Sequence, residues 1–233
     1  MGLAGEVVVV DDVPTAFAER VVESYQAQRL SDGWSIALSG GSTARACYER
    51  LADQAGSSID WWTVDVLWGD ERCVPHDDPD SNYRLAREAL LDRVGAANAT
   101  HLMRCEEGAD PYQLLIGELG QIVLVHLGLG PDGHTASLFP QSPALDADPG
   151  RLVTLNHDPL GHNPHQRMTL TFAGIARARL ALVTVEGEQK AEALAACATG
   201  DDLPASRIRA ESVLWLVDEA AASKLPSGIA KAD

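Results

Sequence analysis

The stretch Ile122–Pro140, IVLVHLGLGPDGHTASLFP, carries the strongest structural signal in the chain. Its apolar first part, Ile122–Leu127, has the composition of a buried strand and runs directly into a glycine-rich turn. Buried strands of this kind are typical of parallel sheets, in which ligands bind beyond the carboxyl ends of the strands. We therefore expect Asp132 and His134 to lie at a binding site, with a helix beginning at Thr135.

The residue types in this turn suit proton transfer. Histidine titrates near neutrality, so His134 could take a proton from water or from a sugar hydroxyl. Asp132, two residues away, could fix the tautomer of the ring. The competing interpretation is that both side chains only cap a turn and a helix N-terminus, a common use of aspartate. We expect His134 to be catalytic, with Gly130 and Gly133 in the same pocket.

A strand followed by a helix recurs along the whole chain. The predicted strands are Val7–Val10, Ser35–Leu38, Val64–Trp68, Ile122–Leu127, Leu180–Val185 and Val213–Val217. The predicted helices are Pro14–Leu30, Thr43–Ala52, Ser81–Val94, a segment after Val185, and Asp218–Ser223. This alternation predicts an α/β fold with a mostly parallel sheet and helices on both faces. A loop at Asn156–His165 and the hairpin-like Arg167–Phe172 predict a smaller, irregular portion in the second half of a single domain, residues 1–233.

The composition limits the classes of partner. The chain has 233 residues and a formal net charge of −16. A general nucleic-acid-binding protein needs a basic face, so this charge argues against nucleic acid as a partner. An anionic substrate would need a local group of positive charges in so acidic a protein. Arginines and lysines near strand ends are therefore candidates for substrate binding.

Signals for membranes, secretion and cysteine cross-links are missing from the sequence. No apolar run reaches the length of a membrane span, and the N-terminal MGLAGEVVVVDD lacks the pattern of a signal peptide. We therefore expect a cytoplasmic protein with no membrane partner. The cysteines show neither a CxxC pattern nor paired Cys/His spacing, so we expect no disulfide and no metal site at Cys47, Cys73, Cys105 and Cys197.

A second glycine-rich turn, Ser39–Thr43 (SGGST), follows a predicted strand and precedes a predicted helix. Glycines let the backbone approach a ligand, and a helix N-terminus offers unpaired N–H groups with partial positive charge. The turn is not a Walker A loop, because no Gly-Lys-Ser/Thr ends it. We expect it to cradle a phosphate, and the alternative is an ordinary glycine turn with a serine cap. The candidate ligands are Gly40, Gly41, Ser42 and Thr43.

Three cations are candidates for holding an anion. Arg72 ends the charged run Gly69-Asp70-Glu71-Arg72, which would be a solvated loop if it stood alone. Because the run directly follows a strand, we expect Asp70 in the pocket and Arg72 as the partner of a phosphate or a developing oxyanion. Arg167 and Lys190 also lie near strand ends and are plausible counterions of a phosphorylated substrate.

One motif is misleading. Gly128–Gly133 fits the G-x-G-x-x-G pattern of dinucleotide-binding folds. The acid that should hold a ribose is only Asp148, in a proline-containing loop, and Pro131 removes an N–H from the turn. We expect no nicotinamide cofactor. We expect His126, within an apolar strand, to be a core histidine, and all five tryptophans to be core residues: Trp34, Trp61, Trp62, Trp68 and Trp215.

Taken together, these motifs make the chain resemble the 6-phosphogluconolactonase family over nearly its whole length. The strings that carry the resemblance are ALSGGST, WGDERCVPHDDPDSNYRLAREALL, LGLGPDGHTASLFP, RMTLTF, GEQKAEAL and LPASRI…VLWLVDEAAAS. The resemblance implies a Rossmann-like fold shared with sugar-phosphate deaminases and isomerases, and neither metal nor organic cofactor. It also implies that His134 is the general base and that the SGGST turn, Arg167 and Lys190 hold the substrate phosphate.

The family opens 6-phosphoglucono-1,5-lactone in the oxidative branch of the pentose phosphate pathway. The resemblance therefore implies that His134 activates water for attack on the lactone carbonyl while Asp132 orients the imidazole. Arg72 or backbone N–H groups would stabilise the oxyanion. The expected partner is a small-molecule sugar phosphate lactone, and we expect a monomer or a weak homo-oligomer.

Two alternatives remain at this point. Glucosamine-6-phosphate deaminases and related isomerases share the DGH turn but continue it as DGHIAFNEP, with a glutamate where this chain has Phe139, and tend to carry tyrosine where Arg72 stands. A non-catalytic sugar-phosphate sensor would usually bring a DNA-binding segment or lose Asp132 and His134. This chain keeps both residues and has no basic extension.

Overall fold

The structure is a computed structural model that describes residues 2–28 and 33–232. Its strands are β1 (Glu6–Val9), β2 (Trp34–Leu38), β3 (Val64–Trp68), β4 (Asp70–Arg72), β5 (Ala99–Thr100), β6 (Ile122–Gly128), β7 (Val153–Asn156), β8 (Arg167–Leu170), β9 (Ala178–Val185), β10 (Ser212–Val217) and β11 (Ala230–Ala232).

Helices follow most of these strands. They are α1 (Val13–Gln28), α2 (Ser42–Ala55), α3 (Asn82–Ala86), α4 (Asp92–Val94), α5 (Asp110–Leu119), α6 (Phe172–Ile175), α7 (Ala191–Thr199) and α8 (Glu219–Ala222). A π-helical segment, Arg87–Leu91, joins α3 to α4. The last two residues of the predicted helix Pro14–Leu30 lie outside the described residues. Among the described helices, none combines the length and the apolar character that crossing a bilayer requires.

The large sheet has the strand order β11-β1-β10-β9-β6-β2-β3-β5, and all its neighbouring strands are parallel. From β2 the chain adds β3 and β5 in one direction, and from β6 it adds β9 and β10 in the other. Strand addition therefore reverses between β2 and β6, which is where ligands bind in open α/β sheets. Every residue of β2 is buried, so both faces of the sheet are covered. The predicted α/β fold is confirmed.

A second, antiparallel sheet has the order β4-β8-β7. The charged run after β3 forms β4, so the interpretation of this run as a solvated loop is wrong. In the pairing of β4 with β8, Asp70 lies opposite Thr169 and Arg72 lies opposite Arg167. The predicted irregular portion of the second half is thus confirmed as β7 and β8, joined by the loop that contains His165.

The helix predicted to begin at Thr135 is wrong. The segment turns at once, with Leu138 N–H donating to the Thr135 carbonyl at 2.9 Å. Ala136 and Gln141 have φ angles of 47° and 62°, in the left-handed region that an α-helix cannot contain. The turns return the chain toward the small sheet, where Ser137 N–H donates to Thr169 Oγ1 at 3.2 Å. Tertiary contacts thus override the local helix signal.

The core contains most of the residues that the sequence assigns to it. His126 is fully buried, and its two ring nitrogens contact the Tyr48 hydroxyl and Thr184 Oγ1, each at 2.9 Å. Burial lowers the pKa of His126 to about 3, so this histidine is neutral near pH 7. The prediction is wrong for Trp62, which is 70% exposed on the short 3-10 helix Trp61–Thr63. The other four tryptophans are buried.

The prediction of no disulfide is also wrong. Cys73 directly follows β4, and Cys105 opens the 3-10 helix Cys105–Glu107 beyond β5; the two form a disulfide with a Cα–Cα distance of 5.4 Å. The sequence could not show this pairing, because Cys73 follows a strand of the small sheet and Cys105 follows β5, the edge strand of the large sheet, 32 positions further along the chain. Cys47 and Cys197 are free and buried. In the described residues, no three His, Cys, Asp or Glu side chains cluster as metal ligands.

We expect the Cys73–Cys105 bond to stabilise the fold measurably. It closes a loop between residues 32 positions apart, for which the chain-entropy model gives about 3–4 kcal/mol. Reduction, or the double variant Cys73→Ser/Cys105→Ser, should therefore lower the free energy of unfolding by roughly that amount in urea titrations. The double variant should not respond further to reductant. An unchanged urea midpoint on reduction of the wild-type protein would contradict the pairing.

Candidate active site

A cleft of about 210 Å³ lies at the carboxyl ends of β2, β6 and β9, next to the small sheet. It collects ten of the predicted site residues, which come from turns that are far apart in the sequence. Asp132 and Gly133 do not line it, although Asp132 contacts His134, which does. The ten lining residues are Gly40, Gly41, Ser42, Thr43, Asp70, Arg72, Gly130, His134, Arg167 and Lys190.

His134 and Asp132 form a hydrogen-bonded pair in the turn after β6. The distance from His134 Nδ1 to Asp132 Oδ1 is 2.6 Å, and the His134 backbone N–H donates to the same oxygen at 3.2 Å. Burial raises the pKa of the Asp132 carboxyl, but its hydrogen bond to His134 and the charge of the ring outweigh burial, so the net pKa is lowered. With Nδ1 engaged by a carboxylate, Nε2 is the nitrogen left to exchange a proton.

The turn leaves no room for a side chain beneath this pair. A Cβ added at Gly130 would lie 2.1 Å from His134 Nδ1 and 2.6 Å from Asp132 Oδ1. Gly133 has a φ of +83°, and a Cβ there would lie 2.9 Å from the Cβ of Leu203. On its other side the His134 ring packs edge-on against Phe139, with ring centroids 5.1 Å apart. The imidazole is therefore held in place by the packing around it as well as by its hydrogen bond to Asp132.

One face of the small sheet supplies the polar floor of the cleft. Side chains alternate along a strand, so Asp70 and Arg72 share this face and Glu71 points the other way. Residues directly opposite each other in an antiparallel pair also share a face, which adds Thr169 and Arg167. The register thus places two arginines side by side at the cleft.

Two arginines of the cleft have unpaired hydrogen-bond donors within the described residues. Arg167 is only 5% exposed, and burial lowers the pKa of its guanidinium. Its buried Nε has no hydrogen-bond partner there, and neither has that of Arg72, although Arg72 Nη1 donates to the Asp80 carbonyl at 2.7 Å. Burial likewise lowers the pKa of Lys190, partly offset by Asp132. Buried or half-buried cations with free donors favour binding of an anion such as a phosphate.

Glu71 is a buried residue to which sequence reasoning assigned no role. Its carboxylate accepts hydrogen bonds from the backbone N–H groups of Arg72, Asn82 and Tyr83, each at 2.7 Å, and from Ser81 Oγ at 3.1 Å. Burial raises its pKa in spite of these bonds. Glu71 therefore ties β4 to the start of α3 and fixes the backbone that carries Arg72.

Three further polar side chains that sequence reasoning missed join the turns to one another. Asn82 Nδ2 donates to the Asp70 carbonyl at 2.9 Å, and Ser137 Oγ donates to Asp70 Oδ2 at 2.6 Å. Asn156 Nδ2 then donates to the Ser137 carbonyl at 2.7 Å. Asn82 lies in the string DPDSN, which has the composition of a turn and a helix cap. Ser81, in that string, does cap α3, with Arg84 N–H donating to its Oγ.

The SGGST turn has the backbone of an anion cradle. Gly41, with a φ of 99°, precedes the first turn of α2, and no side chain caps that end of the helix. This rules out the serine-cap alternative and leaves the N–H groups of the first turn to a ligand. Gly40 fits against Asn82, whose Oδ1 would lie 1.8 Å from an added Cβ. Thr43 lines the cleft together with the other residues of the turn.

Comparison with known proteins decides the family. The family model described as "Glucosamine-6-phosphate isomerases/6-phosphogluconolactonase" matches residues 9–215. The chain belongs to this family. A 6-phosphogluconolactonase from Mycobacterium tuberculosis is 36% identical over 239 aligned residues, covering 93% of this chain and 96% of that protein.

Solved structures of the glucosamine-6-phosphate isomerase/6-phosphogluconolactonase family agree with this fold. The 6-phosphogluconolactonase from Thermotoga maritima superimposes with a TM-score of 0.79 and 29% identity, over 91% of this chain and 99% of that one. A monomeric glucosamine-6-phosphate deaminase superimposes with a TM-score of 0.77 at 18% identity, over 94% of this chain and 99% of that one. The second likeness shows the shared fold alone, so the choice between the activities of the family depends on the site.

Proposed function

We propose that this protein hydrolyses 6-phospho-D-glucono-1,5-lactone to 6-phospho-D-gluconate, the lactonase step of the oxidative pentose phosphate pathway. The observation that carries the proposal is a single cleft lined by His134, which Asp132 contacts, and by three cations beside an uncapped helix N-terminus. The first arrangement suits activation of water, and the second suits a phosphate remote from the reacting carbon. The lactonase relatives support the same substrate.

The proposed reaction uses His134 twice. Nε2 takes a proton from water as the water oxygen bonds to the lactone carbonyl carbon, while Asp132 stabilises the imidazolium. The carbonyl oxygen becomes an oxyanion, for which Arg72 or the N–H groups of the glycine turns are donors. Collapse of this intermediate breaks the ring C–O bond, and the imidazolium returns its proton to the C5 oxygen. The cradle formed by Gly40–Thr43, Arg167 and Lys190 holds the phosphate.

The assignment is tested by hydrolysis of freshly made lactone. Product formation is followed in a pH-stat or by coupling to 6-phosphogluconate dehydrogenase, with the spontaneous rate subtracted. A rate proportional to protein concentration is expected. In parallel, release of ammonia from glucosamine 6-phosphate is measured, and ammonia without lactone hydrolysis above background would overturn the proposal.

The deaminase alternative is disfavoured at Phe139. The glutamate that deaminases place at this position would work with the histidine, whereas here a buried aromatic ring packs against His134, and Arg167 lies 6.0 Å from the ring centroid. Phe139 is only 1% exposed and offers no proton. We therefore propose the lactonase and not the deaminase. A non-catalytic sensor is disfavoured because the His134–Asp132 pair is intact.

We expect Arg72 to tolerate lysine better than methionine. The charge survives the first change, whereas the planar fork is lost in both. Because loss of one oxyanion donor typically costs on the order of 10²–10³ in kcat, Arg72→Met should fall at least about tenfold even if backbone N–H groups share the task. Arg72→Lys should retain partial activity. Equal activity of both variants in the lactone assay would show that the charge of Arg72 serves neither the oxyanion nor the phosphate.

We also propose a cytoplasmic monomer or weak homo-oligomer with a small-molecule sugar phosphate lactone as its partner, and neither nucleic acid nor membrane. The net charge of −16 supports the exclusion of nucleic acid. The Cys73–Cys105 pair makes the proposed location testable, because disulfides are rare in the reducing cytoplasm. Differential alkylation of the two cysteines in lysed cells, followed by mass spectrometry, tests the location, and sedimentation velocity tests the oligomeric state.

A further inference from the structure

The first residue of the SGGST loop is held by a buried tyrosine of the helix that follows the loop. Ser39 comes directly after β2, is buried, and lines the cleft. Its backbone N–H donates to the Tyr48 hydroxyl at 2.6 Å, and that hydroxyl donates to the Ser39 carbonyl at 3.3 Å. Tyr48 lies in α2 and is fully buried. One phenol group therefore binds both backbone groups of the residue at which the loop begins.

His126, in β6, holds the Tyr48 hydroxyl in this position. Its Nδ1 lies 2.9 Å from that hydroxyl, and its Nε2 lies 2.9 Å from Thr184 Oγ1. Because burial lowers the pKa of His126 to about 3, the ring is neutral near pH 7, and one nitrogen donates while the other accepts. One arrangement satisfies every group: Nδ1–H donates to the Tyr48 oxygen, and Nε2 accepts from the Thr184 hydroxyl. The Tyr48 proton is then directed to the Ser39 carbonyl.

These contacts join three neighbouring strands at the cleft. Ser39 follows β2, His126 belongs to β6, and Thr184 lies in β9 opposite Gly128, the last residue of β6. The same three strands lead into the SGGST loop, the DGH turn and the turn before Lys190. Ser39, His126 and Thr184 all line the cleft. The network therefore borders the candidate site and is not a remote part of the core.

The Tyr48 hydroxyl determines how well the loop is prepared for a ligand. Without it, the N–H and the carbonyl of Ser39 would lose these partners in a buried place, which is costly for a backbone group. The loop would shift toward other partners. Its N–H groups bind a phosphate well only where they already point at the phosphate oxygens, because reorganisation on binding lowers affinity.

We propose that Tyr48 is a positioning residue of the SGGST loop and that His126 acts through it, by directing the Tyr48 hydroxyl to Ser39. The inference rests on the proposed function only for the identity of the ligand whose phosphate the loop binds. Both side chains act on that ligand through the loop backbone. Loss of the hydroxyl therefore weakens phosphate binding and leaves the chemistry at His134 unchanged.

The test is Tyr48→Phe, which removes one oxygen and keeps the ring. Binding of inorganic phosphate and of 6-phosphogluconate is measured by titration calorimetry, and both dissociation constants should rise at least about fivefold. In steady-state kinetics the loss for the phosphorylated lactone should lie in KM, with kcat nearly unchanged. Hydrolysis of unphosphorylated gluconolactone should not respond. A lowered kcat with unchanged KM would overturn the proposal.

The matched control is Tyr112→Phe. The Tyr112 hydroxyl accepts the Trp68 N–H at 2.8 Å and donates to the Trp68 carbonyl at 3.3 Å, the same pair of bonds at the end of β3. Gly69, the next residue, is held separately by two backbone hydrogen bonds of 2.8 Å. Both variants should lose similar stability in urea titrations, but only Tyr48→Phe should lose phosphate affinity. Unchanged affinity in Tyr48→Phe, or equal losses of affinity in the two variants, would show a merely structural role.

His126→Leu provides a second test, which also applies if Tyr48→Phe does not fold. It removes the ring contacts but leaves Tyr48 bonded to Ser39, so phosphate binding should weaken by less than in Tyr48→Phe. The double variant Tyr48→Phe/His126→Leu should bind phosphate no more weakly than Tyr48→Phe alone, because His126 acts through the hydroxyl. Wild-type affinity in His126→Leu, or additive losses in the double variant, would overturn the proposal.

The binding measurement does not depend on turnover. Weaker phosphate binding by Tyr48→Phe in a protein without lactonase activity would overturn the proposed function and leave the role of Tyr48 intact. Lactone hydrolysis by the wild-type protein, with the same phosphate affinity in Tyr48→Phe, would do the reverse.

Discussion

Replacing His134 with alanine is expected to lower kcat for lactone hydrolysis by a factor of about 100 or more, because general-base assistance is worth roughly 10²–10⁴. The residual rate would come from binding and from the oxyanion donors, which the change leaves in place. The fold should persist, since the His134 side chain is 23% exposed at the edge of the cleft. Circular dichroism and the urea midpoint check the fold, and the lactone assay measures kcat.

Two further variants make this result specific. His134→Asn keeps a polar side chain that can contact Asp132 but cannot accept the proton, so it should be as inactive as the alanine variant. His157→Ala removes an exposed histidine from the loop between β7 and β8 and should leave kcat unchanged. Near-normal turnover by a folded His134→Ala protein would remove His134 as the base.

Arg167→Ala is expected to lower kcat/KM for the phosphorylated lactone by roughly 10- to 100-fold, since a charge-assisted hydrogen bond is worth about 1.5–3 kcal/mol. Arg167 is nearly buried but lines the cleft, and its buried Nε has no partner among the described residues, so its guanidinium is a candidate donor to the substrate phosphate. Hydrolysis of unphosphorylated gluconolactone should hardly change. The ratio of the two losses is therefore the informative measurement.

The same comparison applies to the SGGST loop, which also lines the cleft. Ser42→Ala, at the start of α2, should also weaken binding of the phosphorylated lactone selectively, by less than Arg167→Ala because it removes no charge. Equal losses on the two lactones for Arg167→Ala would show that the arginine serves the fold or the chemistry and not the phosphate. Thermal unfolding of the same preparations separates those two explanations.

The large sheet was predictable from sequence because its main strands are buried on both faces and appear as continuous apolar runs. Val64–Trp68 was predicted with the bounds that the structure gives it. The small sheet was not predictable in the same way. β4 is only three residues long and fully charged, and its pairing partner lies almost a hundred positions further along the chain. No local sequence pattern predicts a contact between residues so far apart in the chain.

The same difference between local patterns and long-range contacts separates the site residues that were predictable from those that were not. The SGGST and DGH turns were recognisable because each is a short continuous stretch. Its glycines permit a tight turn, and its hydroxyl or histidine side chains are of types that bind ligands. Glu71 and Asn156 were not, since each has a purely internal role whose partners come from another part of the chain. Glu71 looked like part of a solvated run until its three backbone donors were visible. The disulfide partner of Cys73 was hidden for the same reason.

Because Arg72 lies opposite Arg167, the register of the small sheet decides which charges face the cleft. Side chains along a strand alternate between its two faces. An insertion or deletion of one residue in β4 would therefore turn Arg72 to the face now occupied by Glu71 and bring Glu71 to the cleft. Such a change would exchange a cation for an anion in the binding site while leaving all eight strands of the large sheet in register. Tolerance to length changes in this protein should therefore be lowest in a strand that contributes almost nothing to its core.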